Sequence, residues 1–154
     1  MKNWVFILAL GSIFLTSCDS KRLFDENKDL PTDGWYYKNK LVFDVNVTDT
    51  NSLYNLFVNL RVASDYPYAN IFVNMHSESP TKLVADEEKQ IQLADETGQW
   101  LGKGLGDLYD YQVPVKDGFK FHELGIYHFE IQHNMRVDTL QHVLAAGIRL
   151  EKTQ

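Results

Sequence analysis

The chain has 154 residues, with 15 lysines and arginines against 21 aspartates and glutamates and a formal net charge of −6. That length accommodates one hydrophobic core in a single domain. The acid excess argues against nucleic acid and against a polybasic membrane-surface module, both of which need clustered Lys and Arg, and the single cysteine excludes an intramolecular disulfide.

Residues 1–17 have the order of a lipoprotein signal peptide. Lys2 supplies a positive start, residues 5–10 and 13–15 an apolar centre split by Gly11-Ser12, and the small residues Thr16 and Ser17 precede Cys18. The apolar stretch falls short of the roughly 20 residues that span a bilayer, so it reads as a cleaved signal helix. Leu15-Thr16-Ser17-Cys18 resembles the lipobox of bacterial lipoproteins, whose cysteine is lipidated and becomes the first residue of the mature protein. Such proteins carry two or three acyl chains there, which makes firm an anchor that one chain holds only marginally. A lipidated Cys18 is lost to nucleophilic, metal-binding or disulfide chemistry. Residues 18–29 are mostly polar and charged and read as a flexible tether. Leu30-Pro31-Thr32-Asp33-Gly34 then marks the start of a single domain over 30–154.

Apolar spacing in that domain has a period of two. Leu41, Phe43, Val45 and Val47 form one such run; Tyr54, Leu56, Val58, Leu60 and Val62 a second; Ile71, Val73 and Met75 a third. Tyr127, Phe129 and Ile131, and then Leu144, Ala146, Ile148 and Leu150, continue the pattern. Residues two apart share one face of a strand, so each run has a core side and a wetter side. Shorter strands are expected at 89–93, 108–115 and 119–122. Turn chemistry separates the runs at Asp49-Thr50-Asn51-Ser52, Asp65-Tyr66-Pro67, Glu78-Ser79-Pro80, Asp95-Glu96-Thr97-Gly98 and Asp117-Gly118. Pro114, lacking an amide hydrogen, belongs at an edge or a bulge. A helical turn capped by Asp138 is expected before Val143. Many strands without long amphipathic helices predict an all-β fold, an antiparallel β-sandwich of jelly-roll type with at most a short helix.

Catalytic groups do not converge in the sequence. His76, His122, His128, His133 and His142 fall on different expected elements, and His128 and His133, five apart, face opposite ways on a regular strand. No HExxH, CxxC or Asp-rich calcium loop is present, so neither a metal nor a cofactor is expected. Gly102-x-Gly104-x-Gly106 resembles a phosphate loop superficially, but a strand bearing Asp107 and Asp110 follows where a helix N-terminus is needed. The glycines are read instead as a turn or bulge where backbones pass closely. Trp100, Tyr109 and Tyr111 beside Asp107 define an alternative, a glycan-contact site on a surface lipoprotein, with the aromatics stacking on sugar rings; packing within the sandwich competes with it. Asp138-Thr139-Leu140 resembles an acceptor triplet for O-glycosylation at Thr139.

Taken in order, several segments resemble the gliding-motility lipoprotein H family, GldH. They are Cys18; Leu30-Pro31-Thr32-Asp33-Gly34-Trp35; Leu60-Arg61-Val62 with Tyr66-Pro67-Tyr68-Ala69-Asn70-Ile71; and Leu93 to Gly104. Gly125-Ile126-Tyr127-His128-Phe129, Met135-Arg136 and Gly147-Ile148-Arg149-Leu150 complete the set. The resemblance implies an envelope lipoprotein required by the surface-gliding apparatus and linked to an outer-membrane protein secretion system. It transfers no catalytic residue, only the lipidated Cys18. The expectation is therefore a non-enzymatic protein-binding or scaffold component, anchored to a membrane by its lipid and associated with other envelope proteins, without nucleic acid or a small-molecule substrate. Asp19 directly after Cys18 is an inner-membrane signal under one sorting rule; such rules differ among bacteria, and the outer membrane is the expected location.

Overall fold

A computed structural model describes residues 21–153; the signal peptide over 1–17 and the lipidation of Cys18 lie outside the described residues. In chain order the strands are β1 (Arg22–Asp29), β2 (Trp35–Tyr36), β3 (Leu41–Val47), β4 (Tyr54–Ala63), β5 (Asn70–Glu78), β6 (Val84–Gln92), β7 (Lys103–Leu105), β8 (Leu108–Phe119), β9 (Gly125–His133), β10 (Thr139–Leu140) and β11 (Val143–Lys152). One sheet has the order β1-β11-β4-β8-β7, the other β3-β9-β5-β6, and β10 pairs with β2 in a small ribbon. All pairings are antiparallel. With the eight long strands renumbered from one, the sheets run 1-8-3-6 and 2-7-4-5, the winding of a jelly roll. The all-β expectation holds, with no helix among the described residues.

The period-two reading places the core correctly. Leu41, Phe43, Val45 and Val47 are buried while Val42, Asp44 and Asn46 face outward, and β4, β5 and β9 turn their named residues inward in the same way. β11 departs from strict alternation. A register shift against β4 between Val143 and Ala145 sends Leu144 outward, while Ile148 and Leu150 remain in the core.

Other expectations need correction. Residues 22–29 are not tether: they pair with β11 from Arg22 to Asp29 as an edge strand. Strand pairing uses backbone groups, so a polar segment joins a sheet that has a free edge. Leu23 and Phe24 pack against the core, and Phe24 meets Phe43 edge-on at 6.3 Å. The strand expected at 108–115 continues to Phe119 in β8, whereas the separate strand expected at 119–122 does not form: residues 120–124 are the loop before β9. Asp117-Gly118 bulges instead of reversing the chain: Gly118 takes φ +60° and donates its N–H to Asn55 Oδ1 at 2.9 Å. Asp138 caps no helix; residues 139–140 pair with β2. The strand expected at 89–93 begins earlier, at Val84. Pro114 does lie beside a register shift, on the stretch of β8 that extends past β7.

The winding gives the sandwich two ends. Arg22 pairs with Glu151, Lys152 with Tyr54 and Tyr54 with Phe119, so the start of β1, the end of β11, the start of β4 and the end of β8 lie together. Loops 48–53, 79–83 and 120–124 join strands at this proximal end. Its interior is closed by rings: Tyr54 meets Phe121 at 5.0 Å, and Phe121 meets Phe119 at 5.1 Å and Tyr127 at 4.7 Å. Asp49 ties the end together, accepting from Lys152 Nζ at 2.6 Å, Ser52 Oγ at 2.6 Å and Asn51 N–H at 2.8 Å. The lysine above all, with those donors, holds its carboxyl far below the usual range. Trp35 closes the distal end, fully buried, with its indole N–H donating to Asn39 O at 2.8 Å.

Candidate functional site

The residues picked out by sequence for glycan contact come together at the distal end, but the three aromatic ones face inward. Asp95 builds the turn that delivers Trp100: its carboxylate accepts from Thr97 Oγ and from the N–H groups of Thr97 and Gln99, contacts that depress its pKa. Gly98 closes that turn with φ +86°. Trp100 then lies half-buried against Tyr109, centroids 5.5 Å apart. Tyr111 is buried and donates its hydroxyl to Leu93 O at 2.8 Å. Asp107 is exposed in the β7–β8 turn, where its carbonyl accepts the Ser64 N–H at 2.8 Å. These aromatics form a packed wedge, not an exposed coplanar platform. The glycines serve that wedge: a Cβ on Gly102 would stand 2.6 Å from the Tyr111 ring, and one on Gly104 would collide with the Leu108 carbonyl.

The histidines stay apart. His76 pairs with Asp86 at 2.7 Å, His128 with Asp44 at 2.6 Å and His142 with Asp65 at 2.8 Å, all partly exposed. Among the described residues no group of His, Cys, Asp and Glu converges as a metal site. His128 and His133 do face opposite ways. His133 is buried, 5.5 Å from the Trp35 ring; its Nδ1 accepts the Met135 N–H at 3.4 Å and its Nε2 has no hydrogen-bond partner among the described residues.

Burial pushes the His133 pKa below its usual 6.5. The unfolded chain therefore takes up this proton at a higher pH than the folded chain does. Stability contributed by neutral His133 is fully present above about pH 7.5 and declines as pH falls through the unfolded value near 6.5. The perturbed carboxylates Asp49, Glu78, Asp95 and Glu123, all lowered, act in a separate and more acidic window. Urea midpoints between pH 8 and 5.5 should fall for the wild type, and His133→Phe should flatten that slope; an unchanged slope would show that another group carries it.

Two concave surfaces were not visible in the sequence. One, of about 670 Å³, lies on the outer face of the five-stranded sheet over Ala145. Its polar groups largely satisfy one another, with Gln112 donating to Asn59 at 3.2 Å, Asn59 to Asp25 at 3.1 Å, and Arg61 to Asp110 at 2.7 and 3.1 Å. The other, of about 480 Å³, lies at the distal end between Tyr68, Phe72 and the 134–137 segment, with Glu88 and Arg136 supplying opposite charges. That segment is held by Asn134 N–H to Phe72 O at 2.8 Å and Asn134 Nδ2 to Glu88 at 2.6 Å. It leads to Asp138, whose carbonyl accepts the Tyr37 N–H at 2.8 Å. Tyr68 lines this hollow beside Arg136 and is exposed, and Tyr36 and Tyr37 are exposed where the segment meets β2. Tyrosines beside an arginine, apolar in body and polar at the tip, are the residue types enriched at protein interfaces. Thr139 lies half-buried in β10 opposite Tyr36. The only signals in the sequence were Tyr36-Tyr37 and Tyr66-Pro67-Tyr68, which do not reveal that the 134–138 segment links them.

A family model described as GldH lipoprotein matches residues 22–150, the span from the start of β1 to the end of the core part of β11. The chain is 31% identical over 156 residues to a protein of Christiangramia forsetii named gliding motility lipoprotein GldH homolog, covering 97% of this chain and 95% of that one. It is 33% identical over 153 residues to the gliding motility lipoprotein GldH of Flavobacterium johnsoniae, covering 95% and 94%.

Proposed function

The chain belongs to the GldH lipoprotein family, and on that premise we propose that it is an envelope lipoprotein of the gliding apparatus and its associated secretion machinery, acting as a non-enzymatic binding component. The observation that carries this reading is the relationship to two gliding-motility lipoproteins over nearly the whole of all three chains. Acylation of Cys18 holds the protein to the outer membrane, and the domain acts outside the cytoplasm. Partners are other envelope proteins, met by the distal surface around Tyr36, Tyr37 and Tyr68, the end opposite the start of β1. The inward-facing Trp100, Tyr109 and Tyr111 lend no stacking face to the alternative glycan-binding function.

Two measurements test the proposal. Cys18→Ala should move the protein from the membrane to the soluble envelope fraction and remove the acyl mass; retention of both would end the anchor reading. Crosslinking and pulldown from whole envelopes should recover envelope partners. Tyr36→Ala combined with Tyr68→Ala should cut that recovery at least tenfold with the melting temperature nearly unchanged, since both side chains are exposed. Equal recovery by the variant would move the binding surface elsewhere.

A further inference from the structure

The proximal end carries a fringe of exposed apolar side chains that the core does not use. Leu53, Leu83, Val84, Leu124 and Ile126 come from three separate loops and the strand starts beside them, and Leu83 and Leu124 are 67% and 61% exposed. The loops are tied to one another and to the start of the chain's first strand. Thr153 N–H donates to Leu53 O at 2.9 Å, Lys152 N–H to Lys21 O at 2.8 Å and Thr81 Oγ to Glu123 at 2.8 Å. Gly125 packs so closely on Pro80 that a Cβ there would stand 2.9 Å from the proline ring. Clustered apolar exposure of this kind marks a contact surface.

What covers it follows from how short the link is between Cys18 and β1. Only Asp19, Ser20 and Lys21 separate Cys18 from Arg22, the first residue of β1. Fully extended, that span reaches about 14 Å, and the headgroup layer alone occupies roughly half of it. An acylated Cys18 thus leaves no room for another protein between the bilayer and this end. The local charge fits as well. Lys21, Arg22, Lys82, Lys120 and Lys152 offset the carboxylates here, with Lys82 paired to Glu78 at 2.5 Å and Lys152 to Asp49 at 2.6 Å. Removal of residues 1–17 takes away Lys2 and leaves 14 lysines and arginines against 21 acids, so most of the mature chain's net charge of −7 resides elsewhere, and this end is the one that an anionic headgroup surface repels least.

We propose that the lipidated protein stands on the bilayer through its proximal end, with Leu53, Leu83, Leu124 and Ile126 entering the headgroup–acyl boundary. This rests on acylation of Cys18. It fixes the orientation of the domain and points the tyrosine-bearing distal end away from the membrane, toward partners. The fringe acts as a second attachment that removes the swivelling freedom an acyl anchor alone permits.

The acylated cysteine is a thioether, so an introduced cysteine is the only free thiol of the mature chain. Leu83→Cys, Leu124→Cys and, at the distal end, Leu101→Cys replace exposed side chains and are each labelled with an environment-sensitive fluorophore. The mature acylated protein is then placed in phosphatidylethanolamine–phosphatidylglycerol vesicles with and without brominated acyl chains. Quenching at positions 83 and 124 should exceed that at 101 at least twofold. Equal quenching at all three, or greater quenching at 101, overturns the orientation. Flotation of the unlabelled wild type in the same vesicles separates the two claims. Protein that floats without excess quenching refutes the docking alone, whereas protein that does not float removes the anchor and the proposal with it.

Discussion

Trp35→Ala lowers the stability of the domain by about 3–5 kcal/mol, a large part of the 5–15 kcal/mol typical of a whole domain. Trp35 is fully buried, its indole N–H donates to Asn39 O and its ring faces His133 edge-on at 5.5 Å. The alanine leaves a void beneath the β2–β10 ribbon, whose four residues contribute little that would hold it in place. Denaturant titration should show a lower midpoint with the slope preserved. Trp35→Phe keeps much of the apolar volume and loses the hydrogen bond to Asn39, so it should cost clearly less. Equal losses in the two variants would mean that the hydrogen bond, not the packing, is what matters.

Gly147→Val costs about 3 kcal/mol or more and acts on one strand in particular. Gly147 lies in β11 opposite Asn27 of β1 and Asn59 of β4. A side chain there runs into the Glu26 carbonyl and the Asn27 side chain, and its Cβ would stand 2.7 Å from the Asn27 Cα. Those obstacles are largely backbone, and they move only if β1 separates from β11. Hydrogen exchange should therefore lose protection first over Arg22–Asp29, with the rest of the sandwich retained in milder variants such as Gly147→Ala. In the lipidated protein, release of β1 would lengthen the span between Cys18 and the domain and weaken its seating on the bilayer. Uniform loss of protection across both sheets would show that β1 has no separate mobility.

Much of this architecture was legible because its determinants are local. Alternation in β3, β4, β5 and β9 reports directly which side of each strand faces the other sheet, and the Asp95-to-Gly98 turn forms from its own side-chain and backbone hydrogen bonds. Asp117-Gly118 reads locally as a turn because a left-handed glycine serves a bulge as well as a turn; only the partner strand, with Asn55 receiving the Gly118 N–H, decides between them. The aromatic trio at Trp100, Tyr109 and Tyr111 was found as a group but not with its orientation. That depends on which face of β8 meets the core and on Leu93 O accepting the Tyr111 hydroxyl.

By itself the sequence determined a one-domain, strand-built protein with a lipobox-like Cys18 and known inward faces, since these depend on residue order within short windows. Tertiary structure alone decided that the polar residues 22–29 are a strand, because an edge strand takes its order from backbone pairing with β11 rather than from its own apolar content. Antiparallel winding also decided which distant loops meet. It brings Leu53, Leu83 and Leu124 to the end where β1 begins and Tyr36, Tyr37 and Tyr68 to the other, an arrangement of two faces that no local pattern encodes.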